Sequence, residues 1–197
     1  MISHKHKLIF VHINKTAGTS IKHLLLKHGA DQEGGEHGPL TTFISDKTNN
    51  YFKFSFVRNP WDRFLSVYHF RRVKKVLNQL EHGIKDDISF KKFVKKIHHR
   101  ESPYYHKGRD KFFLGPMVNW LKNKDGEVDM DFIGRFENLE EDIATVIEKI
   151  GLPSSFALPH ANREPHPHYT TFYDSETVDL VGSMMEDDIS YFGYKYE

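Results

Sequence analysis

Two short segments carry residue types suited to holding anions. Lys15-Thr-Ala-Gly-Thr-Ser20 combines one cation, three hydroxyls and a glycine directly behind an apolar run. Backbone N–H groups at the start of a helix point at a bound phosphate-like group, and Gly18 allows close approach. Lys15 adds charge. The Walker A order G-x-x-x-x-G-K-[ST] is absent, because here the lysine precedes the glycine, which removes the main support for ATP hydrolysis. An ordinary strand–helix turn with a solvated Lys15 uses the same residues. The second segment is Arg58-Asn-Pro-Trp-Asp-Arg-Phe-Leu-Ser66. Arg58 closes a strand-like run, and helical spacing from Pro60 sets Arg63 and Ser66 three apart on one face. An arginine fork grips a phosphate and a serine hydroxyl adds one more bond. Ion pairing of Arg58 and Arg63 with neighbouring carboxylates is the plainer reading. Together the two segments call for a ligand with two separated anionic groups.

The elements that must position these residues are legible as an alternation of strands and helices. Leu8–Val11 reads as a buried strand, and Ile21, Leu24, Leu25 and His28 keep helical spacing until Gly29 stops them. Tyr51–Val57 is a second strand, followed by a helix with Asn59 as N-cap and Pro60 at its first position, running towards Leu80. Phe90, Phe93, Val94 and Ile97 mark an amphipathic helix whose other face holds Lys91, Lys92, Lys95 and Lys96. That face is a solvated surface or a landing area for an anionic acceptor. Residues 101–111 are turn-rich, and 117–121 suit a helical turn. Met130–Gly134 is a third strand. Asn138 with Glu141 forms a capping-box-like start to a helix ending at Gly151 and Pro153. Residues 31–39 and 159–169 read as loops, and 175–188 as one closing helix. The pattern predicts an α/β domain with a central, mainly parallel sheet flanked by helices in a three-layer, P-loop-like arrangement, the whole of 1–197 forming a single domain.

Composition narrows the function classes. The 197 residues carry 28 Lys plus Arg against 27 Asp plus Glu, a formal net charge of +1. That balance argues against broad nucleic-acid binding but leaves room for a compact anion site. The chain has no cysteine, so disulfides, thiolate metal sites and cysteine nucleophiles are excluded. The apolar run Leu8–Ile13 is too short for a signal-peptide core, and no stretch approaches the ~20 apolar residues of a membrane span. A cytoplasmic location is the expectation.

The two anion segments resemble those of the sulfotransferase superfamily. Ile9-Phe-Val-His-Ile-Asn-Lys-Thr-Ala-Gly-Thr-Ser20 is similar to its 5′-phosphosulfate loop, and Phe54-Ser-Phe-Val-Arg-Asn-Pro-Trp-Asp-Arg-Phe-Leu-Ser-Val-Tyr-His-Phe70 to its 3′-phosphate segment. The likeness extends through Phe132–Leu139, Leu158–Asn162 and Asp188–Tyr194, in the branch that holds heparan sulfate 2-O- and chondroitin-type carbohydrate sulfotransferases. Asn14 departs from the family's usual proline before the lysine.

The resemblance implies 3′-phosphoadenosine 5′-phosphosulfate (PAPS) as co-substrate, with no metal expected, and a hydroxyl acceptor, expected to be a carbohydrate. It places Lys15 on the bridging oxygen between phosphate and sulfate. Thr16, Ala17, Gly18, Thr19 and Ser20 would hold the 5′-phosphate, and Arg58 and Ser66 the 3′-phosphate. Arg135 is a further candidate for the nucleotide. Among 14 histidines, His37 is the candidate base, because the carbohydrate branch places its histidine base in the stretch between the two segments. His12 is expected to pack beside the strand. The irregularly spaced His160, His166 and His168 make a poor metal site and suit a loop, with Asn162 and Arg163, that closes over ligand. A P-loop-like nucleotide kinase and a noncatalytic nucleotide-binding module remain the alternatives.

Overall fold

In a computed structural model, the structure describes residues 1–35, 37–73, 88–99, 114–152 and 167–197. The chain divides into two compact units, each built from two stretches: Met1–Arg58 with Val118–Glu164, and Asn59–Met117 with Pro165–Glu197.

The first unit holds a four-stranded sheet in the order β1 (Ile2–Ser3), β2 (Leu8–Val11), β3 (Phe52–Val57), β4 (Phe132–Arg135). β1 is antiparallel to β2, whereas β2, β3 and β4 run parallel. The three strands expected from sequence are present, with ends shifted by one or two residues. β1 was not expected, since its two residues sit in a polar stretch and are defined by pairing with Leu8 and Ile9. Register aligns Phe10 with Phe54 and Phe54 with Phe132, and puts Val57 beside Arg135. Side chains alternate across a sheet, so Leu8, Phe10, Phe54, Phe56 and Phe132 share one face. That face packs with Ile21, Leu24 and Leu25 of helix α1 (Gly18–Lys27) and with Ile143, Val146 and Ile147 of helix α4 (Leu139–Lys149). Residues of the opposite face, Ile9, Val11, Ser55 and Val57, are also buried. Burial on both faces is the reason β2 reads as a continuous apolar run.

Helix α1 ends where expected: Gly29 takes φ +82°, and the Gly29 and Ala30 amides close on the Leu26 and Leu25 carbonyls. The expected capping box at Asn138 is absent. A 3-10 turn over Phe136–Asn138 runs directly into α4, and the Asn138 side chain caps nothing. Asp142 reaches back instead and accepts from the Arg135 amide at 2.6 Å.

The second unit is helical: α2 (Pro60–Val73), α3 (Phe90–His98), α5 (Ser175–Met184) and α6 (Glu186–Phe192). Asn59 is the α2 cap predicted from sequence, its Oδ1 accepting from the Trp61 and Asp62 amides at 3.1 and 3.4 Å. The expected extension of α2 towards Leu80 lies outside the described residues. So do the turn-rich 101–111, the Leu158–Asn162 loop, His160, Asn162, Arg163 and His166. The predicted closing helix is two helices broken at Met185, whose φ −114° and ψ +22° interrupt the helical run. Met117–Trp120 forms a 3-10 turn. The core of this unit joins Trp61, Phe64, Tyr68, Phe90, Phe93, Ile97, Val181 and Met184.

Two of the four lysines on α3 are committed within the second unit. Lys91 pairs with Asp174 at 2.6 Å and Glu176 at 2.9 Å, and Lys95 with Glu176 at 2.6 Å. Asp174 also caps α5 in a capping box with Thr177. Lys92 and Lys96 are exposed.

Candidate functional site

The loop from β2 into α1 is held in an uncommon backbone conformation. Lys15 and Ala17 both take positive φ, 66° and 65°, although neither is glycine. Such residues cost on the order of 1 kcal/mol each and cluster at ligand clamps. Alternating left-handed residues turn successive amides towards one side, which makes an anion-binding concavity. The concavity leads into the first turn of α1, where Ala17 offers no side-chain cap and no acidic residue is present. The first-turn amides therefore have no carboxylate or hydroxyl at the cap competing for them.

Each hydroxyl of the loop has a distinct setting. Thr16 is buried and donates to the Ile13 carbonyl at 2.9 Å, closing the turn on itself. Its contribution to a ligand would come from its amide. Thr19 is half-buried and Ser20 buried, both on the first turn of α1. The Lys15 side chain is half-exposed.

Gly18 is constrained by a neighbour that sequence reading did not assign to it. A Cβ built on Gly18 would lie 1.8 Å from Cδ2 and 2.1 Å from Nε2 of His12. His12 is buried, as expected, and its ring stacks on Phe10 with centroids 5.7 Å apart. The glycine is thus required where the His12 ring crosses the start of the helix.

Arg58 reaches the same loop. Its Nη1 donates to the Lys15 carbonyl at 3.1 Å, and its guanidinium carbon lies 4.0 Å from the centroid of Phe136. A backbone carbonyl and an aromatic face are thus two of its contacts. Phe136, the residue after β4, was not singled out from sequence, although its place beside Arg135 put it within reach. Arg135 itself is half-buried at the end of β4. In the second unit Arg63 is buried and donates to the Gly115 carbonyl at 3.0 Å, while Ser66 is half-buried on α2.

His37 is exposed on the loop after β1's bridge to Glu33. Its Nδ1 lies 3.0 Å from the His12 carbonyl oxygen. A carbonyl can only accept, so the proton sits on Nδ1 and Nε2 is the basic nitrogen of the neutral ring. The His37 ring also packs 4.2 Å from that of His12 and edge-on to Trp120 at 6.5 Å. Lys15–Ser20, His37, Arg58 and Arg135 all belong to the first unit, and Ser66 to the second.

The family model described as the sulfotransferase family matches residues 1–195. The chain belongs to that family. This sulfotransferase-family chain is similar to carbohydrate sulfotransferase 10 of Xenopus laevis, 22% identical over 242 residues that take in 98% of this chain and 66% of that protein. It is also similar to carbohydrate sulfotransferase 14 of Danio rerio, 24% identical over 193 residues, 81% of this chain and 50% of that protein. The chain spans between a half and about two thirds of the length of these two relatives. A sulfotransferase crystal structure from Alicyclobacillus acidocaldarius aligns over 96% of each chain at 13% identity, with a TM-score of 0.47. Among the described residues, no helix is long and apolar enough to cross a membrane.

Proposed function

We propose that this chain transfers a sulfuryl group from PAPS to a hydroxyl of a carbohydrate or glycoconjugate. The observation that carries the reading is the Lys15 loop itself: left-handed at Lys15 and Ala17, uncapped into α1, and tied at its carbonyl to Arg58. Membership of the sulfotransferase family supports the reaction class. The names of the two relatives support a carbohydrate acceptor. The kinase alternative has no support from either, and a noncatalytic module would leave the exposed Nε2 of His37 without a task.

When bound, PAPS supplies an activated sulfuryl group on a phosphate leaving group. The loop amides and the first turn of α1 hold the 5′-phosphate, and Lys15 neutralises charge that develops on the bridging oxygen as the S–O bond breaks. His37 Nε2 takes the proton of the acceptor hydroxyl as its oxygen bonds to sulfur, so the alcohol becomes a sulfate ester and adenosine 3′,5′-bisphosphate departs. Arg58 and Ser66 hold the 3′-phosphate, on the strength of the sequence segment that contains them, and Arg135 is a further contact for the nucleotide. Arg58 holds the phosphate while its Nη1 keeps the Lys15 carbonyl.

The same proposal treats 1–197 as one working domain, because the family match runs through both units. It places the protein in the cytoplasm, where the Leu8–Val11 run serves as a core strand. The deciding experiment is calorimetry with adenosine 3′,5′-bisphosphate against ATP, followed by a transfer assay with labelled PAPS over a panel of glycans and small hydroxyl compounds. Tight binding of the bisphosphate and labelled product are expected. Preference for ATP overturns the reading.

A further inference from the structure

Lys15 and His37 would act on opposite ends of the transfer, and their separation must be held to a fraction of an ångström. One residue touches the supports of both. The His12 side chain is buried against Gly18, the first residue of α1, so closely that no side chain fits there. The His12 main-chain oxygen receives His37 Nδ1 at 3.0 Å, and the His12 ring packs on the His37 ring at 4.2 Å. On its other side the same ring stacks on Phe10 of β2, within the sheet core.

We propose that His12 is a positioning residue of the transfer site, its ring seating the anion loop against the sheet while its carbonyl and ring orient the base His37. Glycine at position 18 then answers to the His12 ring and not to the nucleotide. The inference rests on the sulfotransferase reading above and adds to it a determinant of donor and base geometry. Neither ring nitrogen of His12 needs to touch a ligand for this role; what matters is the plane it occupies between Phe10, Gly18 and His37.

The claim is tested by a coupling experiment between positions 12 and 18. Binding of adenosine 3′,5′-bisphosphate is measured by calorimetry for the parent, Gly18→Ala, His12→Ala and the double variant, with folding checked by circular dichroism. Gly18→Ala alone pushes the helix start off the His12 ring and should weaken binding about 10- to 100-fold. With His12 also truncated, the added methyl enters vacated space and should cost nothing further, so the double variant matches His12→Ala. A double variant more impaired than His12→Ala, in folding or in binding, overturns the proposal. So does an equal cost of Gly18→Ala in both backgrounds.

A second readout addresses His37, since a purely structural role for His12 would not move it. At saturating PAPS, His12→Ala should slow turnover by a larger factor in the parent background than when His37 is already alanine. Independent, multiplying losses overturn the link to the base. A parent protein that fails to bind the bisphosphate rejects the sulfotransferase reading itself, and is distinguishable from both of these outcomes.

Discussion

Arg58 Nη1 donates to the main-chain carbonyl of Lys15 at 3.1 Å, joining the end of β3 to the loop after β2. The Lys15 loop and Arg58, 43 residues apart in sequence, are thereby tied together. Arg58→Ala should disturb both the proposed 3′-phosphate contact and the loop that carries Lys15. Hydrogen bonds to charged groups are worth about 1.5–3 kcal/mol, so affinity for adenosine 3′,5′-bisphosphate should fall roughly 10- to 150-fold. Affinity for the analogue lacking the 3′-phosphate should fall by less. Equal losses, measured by calorimetry, would leave Arg58 as a support of the loop alone.

Function and strain part company at Lys15. Its φ of 66° is a conformation that glycine adopts without strain. Lys15→Ala should abolish transfer, by about 10³-fold or more, with the fold retained because the side chain is half-exposed. Lys15→Gly should be equally inactive yet no less stable to heat than Lys15→Ala. At Ala17, also left-handed, Ala17→Gly should gain about 0.5–1 kcal/mol, a rise in melting temperature of roughly 1–4 °C, with transfer preserved. A fall in stability on Ala17→Gly would show that the loop is not strained there.

These relationships mark where sequence reading stops. β2 was legible because a strand buried on both faces is an unbroken apolar run, β3 by its density of aromatics, and Asn59-Pro60 announced α2 through local capping chemistry. β1 was not, since two residues acquire strand character only by pairing with Leu8 and Ile9. The Asn138 box failed because φ −115° and ψ 31° leave that residue outside the extended conformation a cap needs. The true box, at Asp174 and Thr177, stands directly at the start of the expected helix 175–188. At the candidate site, Lys15 and Arg58 could be named from type and spacing, and His37 from the family resemblance. The neighbours that set them, Phe136 under Arg58 and His12 over Gly18, depend on strand register and loop course, which no local pattern encodes.

The edge of the sheet carries a prediction about acid. Asp31 accepts from Ser3 Oγ, from the Lys5 amide and from the His4 amide, and these donors hold its pKa down to about 2. A carboxylate whose folded pKa is depressed stabilises the fold fully above its unfolded value of about 3.9. That contribution is lost as pH falls from there towards 2. Asp174, held well below the usual carboxylate range first by Lys91 and then by Thr177, acts with the same sign. Denaturant midpoints of the parent should therefore exceed those of Asp31→Asn at neutral pH, with the gap closing between about pH 4 and pH 2. A gap independent of pH would mean the hydrogen bonds do not need the charge.

Asn59 does two jobs with one amide. Oδ1 caps α2, and Nδ2 donates to the Lys195 carbonyl at 2.9 Å. Asn59→Ala loses both and should cost about 1–2 kcal/mol, whereas Asn59→Asp keeps the cap and loses the bond to Lys195. Chemical denaturation should rank parent, Asn59→Asp and Asn59→Ala in descending stability. Identical midpoints for the two variants would show that the cap contributes little.

His37 gives the sharpest separation of binding from chemistry. The bond from Nδ1 to the His12 carbonyl leaves Nε2 as the nitrogen that can take a proton. His37→Ala removes that base without touching the Lys15 loop or Arg58. Binding of adenosine 3′,5′-bisphosphate should stay within about threefold of the parent, while turnover falls by about 10²–10⁴-fold, the usual worth of a positioned general base. His37→Gln should show the same loss, since an amide in place of the ring can hydrogen-bond but cannot accept a proton at neutral pH. Parallel losses of binding and turnover would make His37 a support of the loop. Unchanged turnover with intact binding would move the base to another residue, and would remove the reason for Nδ1 to be pinned while Nε2 stays open.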